Sequence, residues 1–329
     1  MSKRTRDGWN GCRFRGGGHY ESWFQRANHP QRPLAFWVRY TIFSPASGGA
    51  AVGELWAVWF DGEQKQVSAC KQVLPIEQCR FARHGLDVSV GGARLDSTSL
   101  AGEAHGQGRH ISWSLRYSSP SPPLLLLPER LYDLPLPKAK ALVGSPGARF
   151  EGDITVDGER HAIDDWVGSQ NHNWGSKHTD RYAWGQVAGF DEAPDAFFEV
   201  ATARIKVGPL WVPPMTLMVL RLDGEVHELN SITGSLRARA SYDPSCWRFE
   251  SAPGDVRIRG EITAPREAFV ALPYDNPPGG RKTCLNSKIA RCELTVSAGG
   301  RSRQLTSACR AAFEILTDDV DHGVQMLDA

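Results

Sequence analysis

The sequence lacks the cysteine patterns that mark disulfide frameworks and zinc sites. Its seven cysteines form an odd number and include no CxxC pair, which disfavours a disulfide-stapled fold and a thiolate zinc centre. The longest aliphatic run, residues 124–127, is far shorter than the ~20 residues needed to span a bilayer. No apolar segment of the signal-peptide type follows the basic N-terminus. These absences predict a soluble, cytoplasmic protein without a transmembrane segment.

An excess of charge of one sign is also missing. Thirty-eight Lys and Arg residues oppose 37 Asp and Glu residues, which leaves a formal net charge of +1. A surface that binds by neutralising many phosphates needs a clear cationic excess, so nucleic acid is excluded as a partner. The GxSxG, HExxH and GxxxxGK[ST] motifs are absent as well. We therefore expect neither a nucleotide nor a metal cofactor.

Strands that are apolar on both faces dominate the N-terminal third. Residues 34–43 (LAFWVRYTIF) and 53–60 (GELWAVWF) place hydrophobic side chains at odd and at even positions, around polar Arg39 and Thr41. Such a strand lies between two dry layers. One interpretation is a barrel wall that lines a lipophilic lumen and is covered outside. The other is a core strand packed against a second domain.

Asp-Gly pairs between strand-like segments are the strongest local signal for β-hairpins, because a type I′ turn needs positive φ at both central residues. The pairs are Asp61-Gly62, Asp157-Gly158 and Asp223-Gly224. The sequence shows no sustained 3.6-residue apolar periodicity that predicts a helix of ordinary length. The predicted fold class is therefore antiparallel all-β.

A weak internal repeat relates the two halves of the chain. Shifting the sequence by 162 residues places Tyr20 on Tyr182 and the first Asp-Gly pair on the third. Between the halves lie seven prolines, which deny hydrogen-bond donors to a sheet: Pro120, Pro122, Pro123, Pro128, Pro135, Pro137 and Pro146. We predict an N-terminal β unit at 1–120, a linker at 121–146 and a C-terminal β unit at 147–329.

Six segments carry a resemblance to a known family. They are GHYESWFQRAN (18–28), AFWVRYT (35–41), GELWAVWFDG (53–62), LPLPKAK (134–140), DDWVGSQNHNWG (164–175) and YAWG (182–185). In order and spacing they resemble the AttH-like family, which belongs with the hydroxyneurosporene synthases (carotenoid 1,2-hydratases). More distantly they resemble tocopherol cyclases and the lipocalin-like fungal Diels–Alderases. The resemblance implies two tandem lipocalin-like barrels and a hydrophobic substrate. The chain departs from the family pattern at Asn171: such sequences usually read GHNWG, whereas this chain reads NHNWG at 171–175.

The segment 164–186 holds the densest set of chemistry-bearing residues. Hydration or cyclisation of a polyene needs an acid, and a carboxyl in an apolar pocket holds its proton because the charged form is desolvated. Asp164 and Asp165 are the candidate acids. Because adjacent residues of a strand point to opposite faces, only one of them can enter a lumen, and we choose Asp165. For a pericyclic reaction, His172 or Asn173 is the candidate hydrogen-bond donor. The predicted substrate-binding residues are Tyr20, Trp23, Trp166, Gln170, Trp174, Tyr182, Trp184 and Gln186.

Together these features predict a cofactor-free enzyme of specialised isoprenoid or polyketide metabolism, which hydrates, isomerises or cyclises a hydrophobic polyene-like molecule. A carrier of hydrophobic ligands and a carbohydrate-binding β module stay open as alternatives. The 170–175 segment also fits a structural corner, and a zinc site of His161, His172 and His178 has poor spacing. The sequence leaves open peripheral contact with a membrane and the oligomeric state.

Overall fold

The computed structural model describes residues 4–319 and 321–327, and its regular structure is almost entirely β. The α-helices in this part are short: α1 (Arg6–Asn10) and α2 (Ile232–Arg237). Three 3₁₀ turns cover Ile76–Gln78, Glu129–Tyr132 and Arg266–Ala268. No helix in the described ranges is long and apolar enough to cross a membrane. The all-β prediction is confirmed, while residues 1–3, 320 and 328–329 of the predicted units lie outside the described part.

The first sheet is antiparallel and takes in all strands up to Gly175. Its members are β1 (His19–Asn28), β2 (Leu34–Ser44), β3 (Val52–Asp61), β4 (Gln66–Pro75), β5 (Cys79–Phe81), β6 (Asp87–Val90), β7 (Ala93–Asp96), β8 (Ser99–Gly106), β9 (Arg109–Ser118), β10 (Leu124–Leu125), β11 (Ala139–Val156) and β12 (Glu159–Gly175). The order is β4-β3-β2-β1-β12-β11-β9-β8-β7-β6-β5, with β10 beside β11. Because β4 lies against β8, the sheet is a nearly closed barrel.

The second sheet is a half-barrel. Its members are β13 (Arg181–Ala188), β14 (Phe197–Arg204), β17 (Met215–Leu222), β18 (Glu225–Leu229), β19 (Arg239–Tyr242), β20 (Cys246–Ser251), β21 (Arg257–Thr263), β22 (Val270–Asp275), β23 (Arg281–Ala298) and β24 (Arg301–Thr317). A separate two-stranded hairpin joins β15 (Lys206–Val207) and β16 (Leu210–Trp211). The order is β18-β17-β14-β13-β24-β23-β21-β20-β19, with β22 beside β23.

The two sheets share one topology. The first runs β4-β3-β2-β1-β12-β11-β9 and the second β18-β17-β14-β13-β24-β23-β21, so each position in one order has a counterpart in the other. The hairpins at Asp61-Gly62 and Asp223-Gly224 close corresponding edges of the two sheets. The predicted equivalence of these hairpins is therefore confirmed at the level of strand order.

Turn chemistry follows the type I′ prediction at two of the three Asp-Gly pairs. Asp157 and Asp223 have φ of 49° and 53°, and the glycine after each has positive φ too. At Asp61 the hairpin has a four-residue loop instead, because Asp61 pairs with Gln66. Here the Asp61 carboxylate accepts the amides of Glu63 and Gln64 at 3.0 and 2.9 Å, and the residue with positive φ is Lys65.

The sheets divide the chain at a different place from the predicted linker. Residues 121–146 contain β10 and the first half of β11, and β11 pairs with β12 in the first sheet. Pro146 is tolerated in this ladder because β-bulges lie on either side of it, between Val143 and Ser145 and between Pro146 and Ala148. The chain leaves the first sheet at Gly175 and enters the second at Arg181.

Strands β1, β2 and β3 have one face in each of two cores. Phe36, Val38 and Tyr40 point into the barrel and pack there with other buried side chains. Ala35 and Trp37 point the opposite way, toward Leu272 and Leu316 of the second sheet. Both interpretations hold in part: the doubly apolar strands form the barrel wall and are covered outside by the second sheet, and the barrel interior around them is filled by side chains.

Polar groups lock the two sheets together where their cores meet. Arg26 of β1 is fully buried and donates from Nε to Gln186 Oε1 at 2.8 Å and from Nη2 to Gln186 O at 3.0 Å. Its Nη1 donates to Asn28 Oδ1 at 2.7 Å and to Arg310 O at 3.3 Å. Asn28 in turn donates to Lys288 O at 2.6 Å. These bonds join β1 to β13, β23 and β24.

Candidate functional site

The candidate site is a cavity of about 450 Å³ between the two sheets. This volume lies within the usual range for small-molecule pockets. Part of the lining, here called the apolar wall, comes from the 126–137 loop, the 205–212 segment, β17 and α2: Leu126, Leu127, Leu131, Leu136, Ile205, Val207, Val212, Met215, Leu217 and Ile232. The rest, here called the polar wall, includes the polar and aromatic side chains Tyr20, Trp37, Arg39, His178, Tyr182, Trp184, Tyr274 and Glu314. A hydrocarbon fits the first wall and a polar group the second.

Glu314 of β24 is the carboxylate on the polar wall. It pairs with the buried Lys288 ammonium at 2.7 Å and accepts from Asn286 Nδ2 at 3.1 Å. The Tyr182 hydroxyl donates to its second oxygen at 3.4 Å. Burial lowers the pKa of Lys288, and the charge of Glu314 opposes that shift. The arrangement keeps a carboxylate, an ammonium and a hydroxyl beside an apolar cavity.

The phenols on this wall stay protonated. Burial raises the pKa of Tyr182 and of Tyr274 well above the ordinary value, and the nearby Cys284 thiol adds to the shift. Burial raises the pKa of Cys284 as well, so that thiol is not a ready nucleophile. Both tyrosines therefore present hydroxyl groups that can donate a hydrogen bond.

His178 is the neutral histidine of the cavity. Its ring stacks on Tyr20 at 3.9 Å and lies 5.8 Å from Tyr274, and its Nε2 donates to Asp275 O at 3.2 Å. Burial lowers the pKa of His178 to about 3, and the charge of Arg39 lowers it further. His178 consequently presents an uncharged ring to the cavity at neutral pH.

Arg39 of β2 carries a buried guanidinium on the same wall. It is 6% exposed, and its Cζ lies 4.5 Å from the Tyr274 ring centre and 5.9 Å from that of Trp37. Its Nε is buried without a hydrogen-bond partner. The described close contacts of its guanidinium are with these two ring faces.

A second buried carboxyl lies behind the cavity. Glu199 of β14 accepts from Trp184 Nε1 at 3.0 Å, and its other oxygen is buried without a partner. Burial raises the pKa of Glu199 to about 7. Trp184 lines the cavity whereas Glu199 does not, so this carboxyl fixes the orientation of the Trp184 indole.

The structure places four of the predicted residues on the cavity wall: Tyr20, Asn173, Tyr182 and Trp184. The other predicted residues lie elsewhere. Trp166 packs in the barrel core against Phe36 and Trp59, and Trp174 lies beside Tyr132 under the Arg13 guanidinium. Gln170 exchanges hydrogen bonds with Asn10 at 3.0 Å.

Gln186 belongs to the contact between the sheets. It accepts from Arg26 and from Ser169 Oγ, the latter at 2.6 Å, and donates to Asn171 Oδ1 at 2.9 Å. Its side chain is fully buried in this network, and Gln186 is not among the residues that line the cavity. The structure therefore gives Gln186 a structural place between the sheets.

Asp165 does not have the environment predicted for an acid. A bulge between the pairs Phe150–Trp166 and Gly152–Ile163 leaves both Asp164 and Asp165 of β12 exposed, with φ of 51° at Asp165. The Asp165 side chain is 62% exposed and pairs with Arg149 at 3.0 Å. Strict alternation fails at a bulge, so neither carboxyl enters a pocket. Asp165 therefore lacks the apolar pocket that the prediction required.

His172 lies on the other face of β12 from Asn173, toward the barrel. Its Nδ1 donates to Trp9 O at 2.8 Å, its Nε2 meets Glu21 Oε1 at 2.8 Å, and its ring stacks on Trp23 at 4.8 Å. Glu21 also accepts from the Arg13 amide at 2.8 and 2.9 Å. Burial raises the pKa of Glu21, but hydrogen bonds from His172 and His19 outweigh burial and hold it at about 2.

The three histidines considered for a zinc site are not brought together. His161 stacks on Trp59 at 4.4 Å, and His172 and His178 have the separate places described above. A different group, Glu103, His105 and His110, has ligand atoms within 4.8 Å of one another on the exposed β8–β9 hairpin. Its carboxylate already hydrogen-bonds His110 at 3.0 Å. These three residues lie on β8 and β9 of the first sheet and do not line the cavity.

The tryptophans serve as core residues. Ten of the eleven are buried and the eleventh, Trp211, is half-buried under the cations of Arg181, Arg204 and Lys206. A sugar-stacking platform needs exposed ring faces, so the tryptophans do not favour the carbohydrate-binding alternative.

Sequence reasoning missed the charged residues of the site. Arg39, Glu199 and Glu314 are each the single charge inside an apolar strand segment, AFWVRYTIF, FFEVATA or AAFEILT. Buried charges of this kind are rare without a partner or a function. A charge that interrupts a doubly apolar strand is therefore the signal that could have located this site.

Comparison with known proteins gives the family. The sequence model of the tocopherol cyclase-like family matches residues 136–315, which is more than half of the chain. The chain belongs to the tocopherol cyclase-like family. An uncharacterized protein of Mycobacterium tuberculosis strain H37Rv is 26% identical to it over 294 residues, which cover 88% of this chain and 84% of that protein.

Solved structures share the fold of this tocopherol cyclase-like chain. Kievitone hydratase from Nectria haematococca superposes with a TM-score of 0.58 at 13% identity, over 92% of this chain and 89% of that one. A protein of Nitrosomonas europaea assigned as AttH gives 0.56 at 12% identity, over 91% and 92%. CghA gives 0.55 at 14% identity, over 94% and 89%. The predicted resemblance to the AttH-like group and the tandem lipocalin-like fold are both confirmed.

Proposed function

We propose that the protein is a cofactor-free enzyme that hydrates, isomerises or cyclises a hydrophobic, polyene-like small molecule in the cavity between its two sheets. The observation that carries the proposal is that one cavity is lined both by the apolar wall and by the hydrogen-bonded pair Glu314 and Tyr182. Membership in a tocopherol cyclase-like family and structural likeness to a hydratase support the same reaction class. A substrate from isoprenoid or polyketide metabolism fits such a cavity.

The chemistry needs proton transfer alone. Hydration adds H and OH from water across a C=C bond, and cyclisation adds a substrate O–H across one; in each case a carbon gains the proton that an oxygen loses. A single group that takes and returns a proton therefore suffices, without oxidant, reductant or nucleotide. Glu314 has this role in our proposal, with Lys288 and Tyr182 holding its carboxylate in place. The indole faces of Trp37 and Trp184 stabilise a developing cation.

Replacing Glu314 by glutamine tests the proposal. Glutamine keeps the size and most hydrogen bonds of the side chain but carries no titratable proton, so turnover of a polyene substrate is expected to fall about 100-fold or more. The measurement is product formation by liquid chromatography and mass spectrometry from a panel of prenylated phenols and polyenes, together with a melting curve for each variant.

Two other carboxylates serve as controls. Glu199→Gln alters a buried carboxyl outside the cavity lining, and Asp165→Asn alters the exposed one, so both are expected to retain substantially more turnover than Glu314→Gln. Loss of turnover in Glu199→Gln with full activity in Glu314→Gln would transfer the proton-transfer role to Glu199. A wild-type protein that binds these compounds and converts none would instead be a carrier of hydrophobic ligands.

A further inference from the structure

We infer that the substrate carries an anionic oxygen group, such as a carboxylate or an enolate, and that Arg39 binds it. The inference rests on the proposed function, because it specifies the ligand of the same cavity. Arg39 then determines specificity, and the substrate has a hydrocarbon body with an acidic head group.

Arg39 forms no direct ion pair with a carboxylate in the described part of the chain. Burial lowers its pKa, but nearby acidic groups, including Glu54 and Glu314, raise it overall. Glu54 pairs directly with Lys71 at 3.1 Å, and Glu314 with Lys288 at 2.7 Å. Each acid thus has a lysine as its direct partner, and both act on the Arg39 guanidinium without pairing with it.

The buried side chain of Arg39 has a hydrogen-bond donor, Nε, without a partner. A guanidinium has five N–H donors, and a buried charge costs free energy unless it is paired and hydrogen-bonded. Arg39 is held instead between ring faces, which compensate a cation only in part. Because Arg39 lines the cavity, a ligand bound there is in contact with this side chain. A carboxylate supplies both the missing charge and a pair of matched acceptors.

Two other side chains on the cavity lining, Lys140 and His178, could also bind an anionic head group. Lys140 is the other cation on its lining, and its Nζ already donates to Pro137 O at 2.8 Å. His178 is neutral at physiological pH because burial lowers its pKa to about 3. Arg39 is thus the cation of the lining whose guanidinium has no hydrogen bond to a described carbonyl or carboxylate. With the head group there, an apolar body has Leu131, Leu136 and Met215 of the same cavity to contact.

A matched pair of ligands tests the inference on the wild-type protein first. Farnesoic acid and methyl farnesoate have the same hydrocarbon body and differ in the charge of the head group. Wild type is expected to bind the acid at least tenfold more tightly, measured by equilibrium dialysis at pH 7.5. Equal binding of both would overturn the head-group assignment and leave the hydrophobic cavity intact. Binding of neither would overturn the proposed function itself.

Variants then locate the head group. Arg39→Met is expected to lose the preference for the acid while its affinity for the ester stays within about twofold, and Arg39→Lys is expected to retain part of the preference. Arg32→Met, an exposed arginine paired with Glu63, is the control and is expected to behave as wild type. A preference that survives in Arg39→Met but disappears in Lys140→Met would place the head group at Lys140 and overturn the inference.

Discussion

A methionine in place of Arg26 is expected to lower the free energy of unfolding by about 2–4 kcal/mol. The substitution keeps much of the side-chain volume but leaves Asn28 Oδ1 and the carbonyl oxygens of Gln186 and Arg310 without this donor between the sheets. Each buried acceptor that loses its partner costs about 1–3 kcal/mol, and relief of the buried charge offsets part of that cost. Burial already lowers the pKa of Arg26 to about 9.

Thermal denaturation measures this effect. For a chain of this length, about 3 kcal/mol corresponds to a fall in Tm of about 4 °C. Arg32→Met is the matched control: Arg32 is exposed and forms a bidentate pair with Glu63, and exposed pairs contribute about 0–1 kcal/mol. If both variants melt at the wild-type temperature, Arg26 does not hold the sheets together. If both fall equally, the effect is not specific to the contact between the sheets.

Replacing Glu21 by glutamine is expected to destabilise the protein at pH 7 and to flatten its acid denaturation. Glu21 has a pKa of about 2 in the folded protein against 4.5 for a free side chain. Since the folded pKa is the lower one, its contribution is full above pH 4.5 and is lost as the pH falls toward 2. The shift corresponds to about 3 kcal/mol. The stability gap between wild type and Glu21→Gln should therefore be largest near pH 7 and narrow below pH 4.5.

A second Glu–His pair in the same chain is the control for this prediction. Glu103 and His110 approach to 3.0 Å but are exposed, so Glu103→Gln is expected to change stability by less than about 1 kcal/mol. Urea denaturation at pH 7, 4 and 2.5 measures all three proteins. A gap for Glu21→Gln that stays constant over this range would show that the Glu21 carboxylate is not what stabilises the pair with His172.

Local rules predicted the fold well. Alternation located β2 and β3, and the Asp-Gly pairs located three hairpins, because side-chain period and turn chemistry act over a few residues. The same rules failed at Asp61, where a side-chain oxygen organises a longer loop, and at Asp164 and Asp165, where a bulge breaks the period. A bulge is set by pairing with β11, which the local sequence does not reveal.

The candidate site was predicted only in part, since its groups are distant in sequence. Tyr20, Asn173, Tyr182 and Trp184 were found because aromatic and amide residues cluster in conspicuous segments. Arg39 and Glu314 are 275 positions apart, and their proximity follows from the packing of one sheet on the other. His172 looked like a site residue for the same reason that it is a good structural partner: it is a polar ring that can form two hydrogen bonds.

The central claim is that a hydrophobic ligand binds between the sheets and not inside the barrel, and tryptophan quenching by a dibrominated hexadecanoic acid tests it directly. Trp37 and Trp184 line the cavity between the sheets, whereas Trp59 and Trp113 lie in the barrel core. With ligand occupancy fixed by equilibrium dialysis, the account predicts that quenching disappears in the Trp37→Phe/Trp184→Phe variant and persists in Trp59→Phe/Trp113→Phe. Quenching that persists in the first variant and disappears in the second would place the ligand in the barrel and contradict the account.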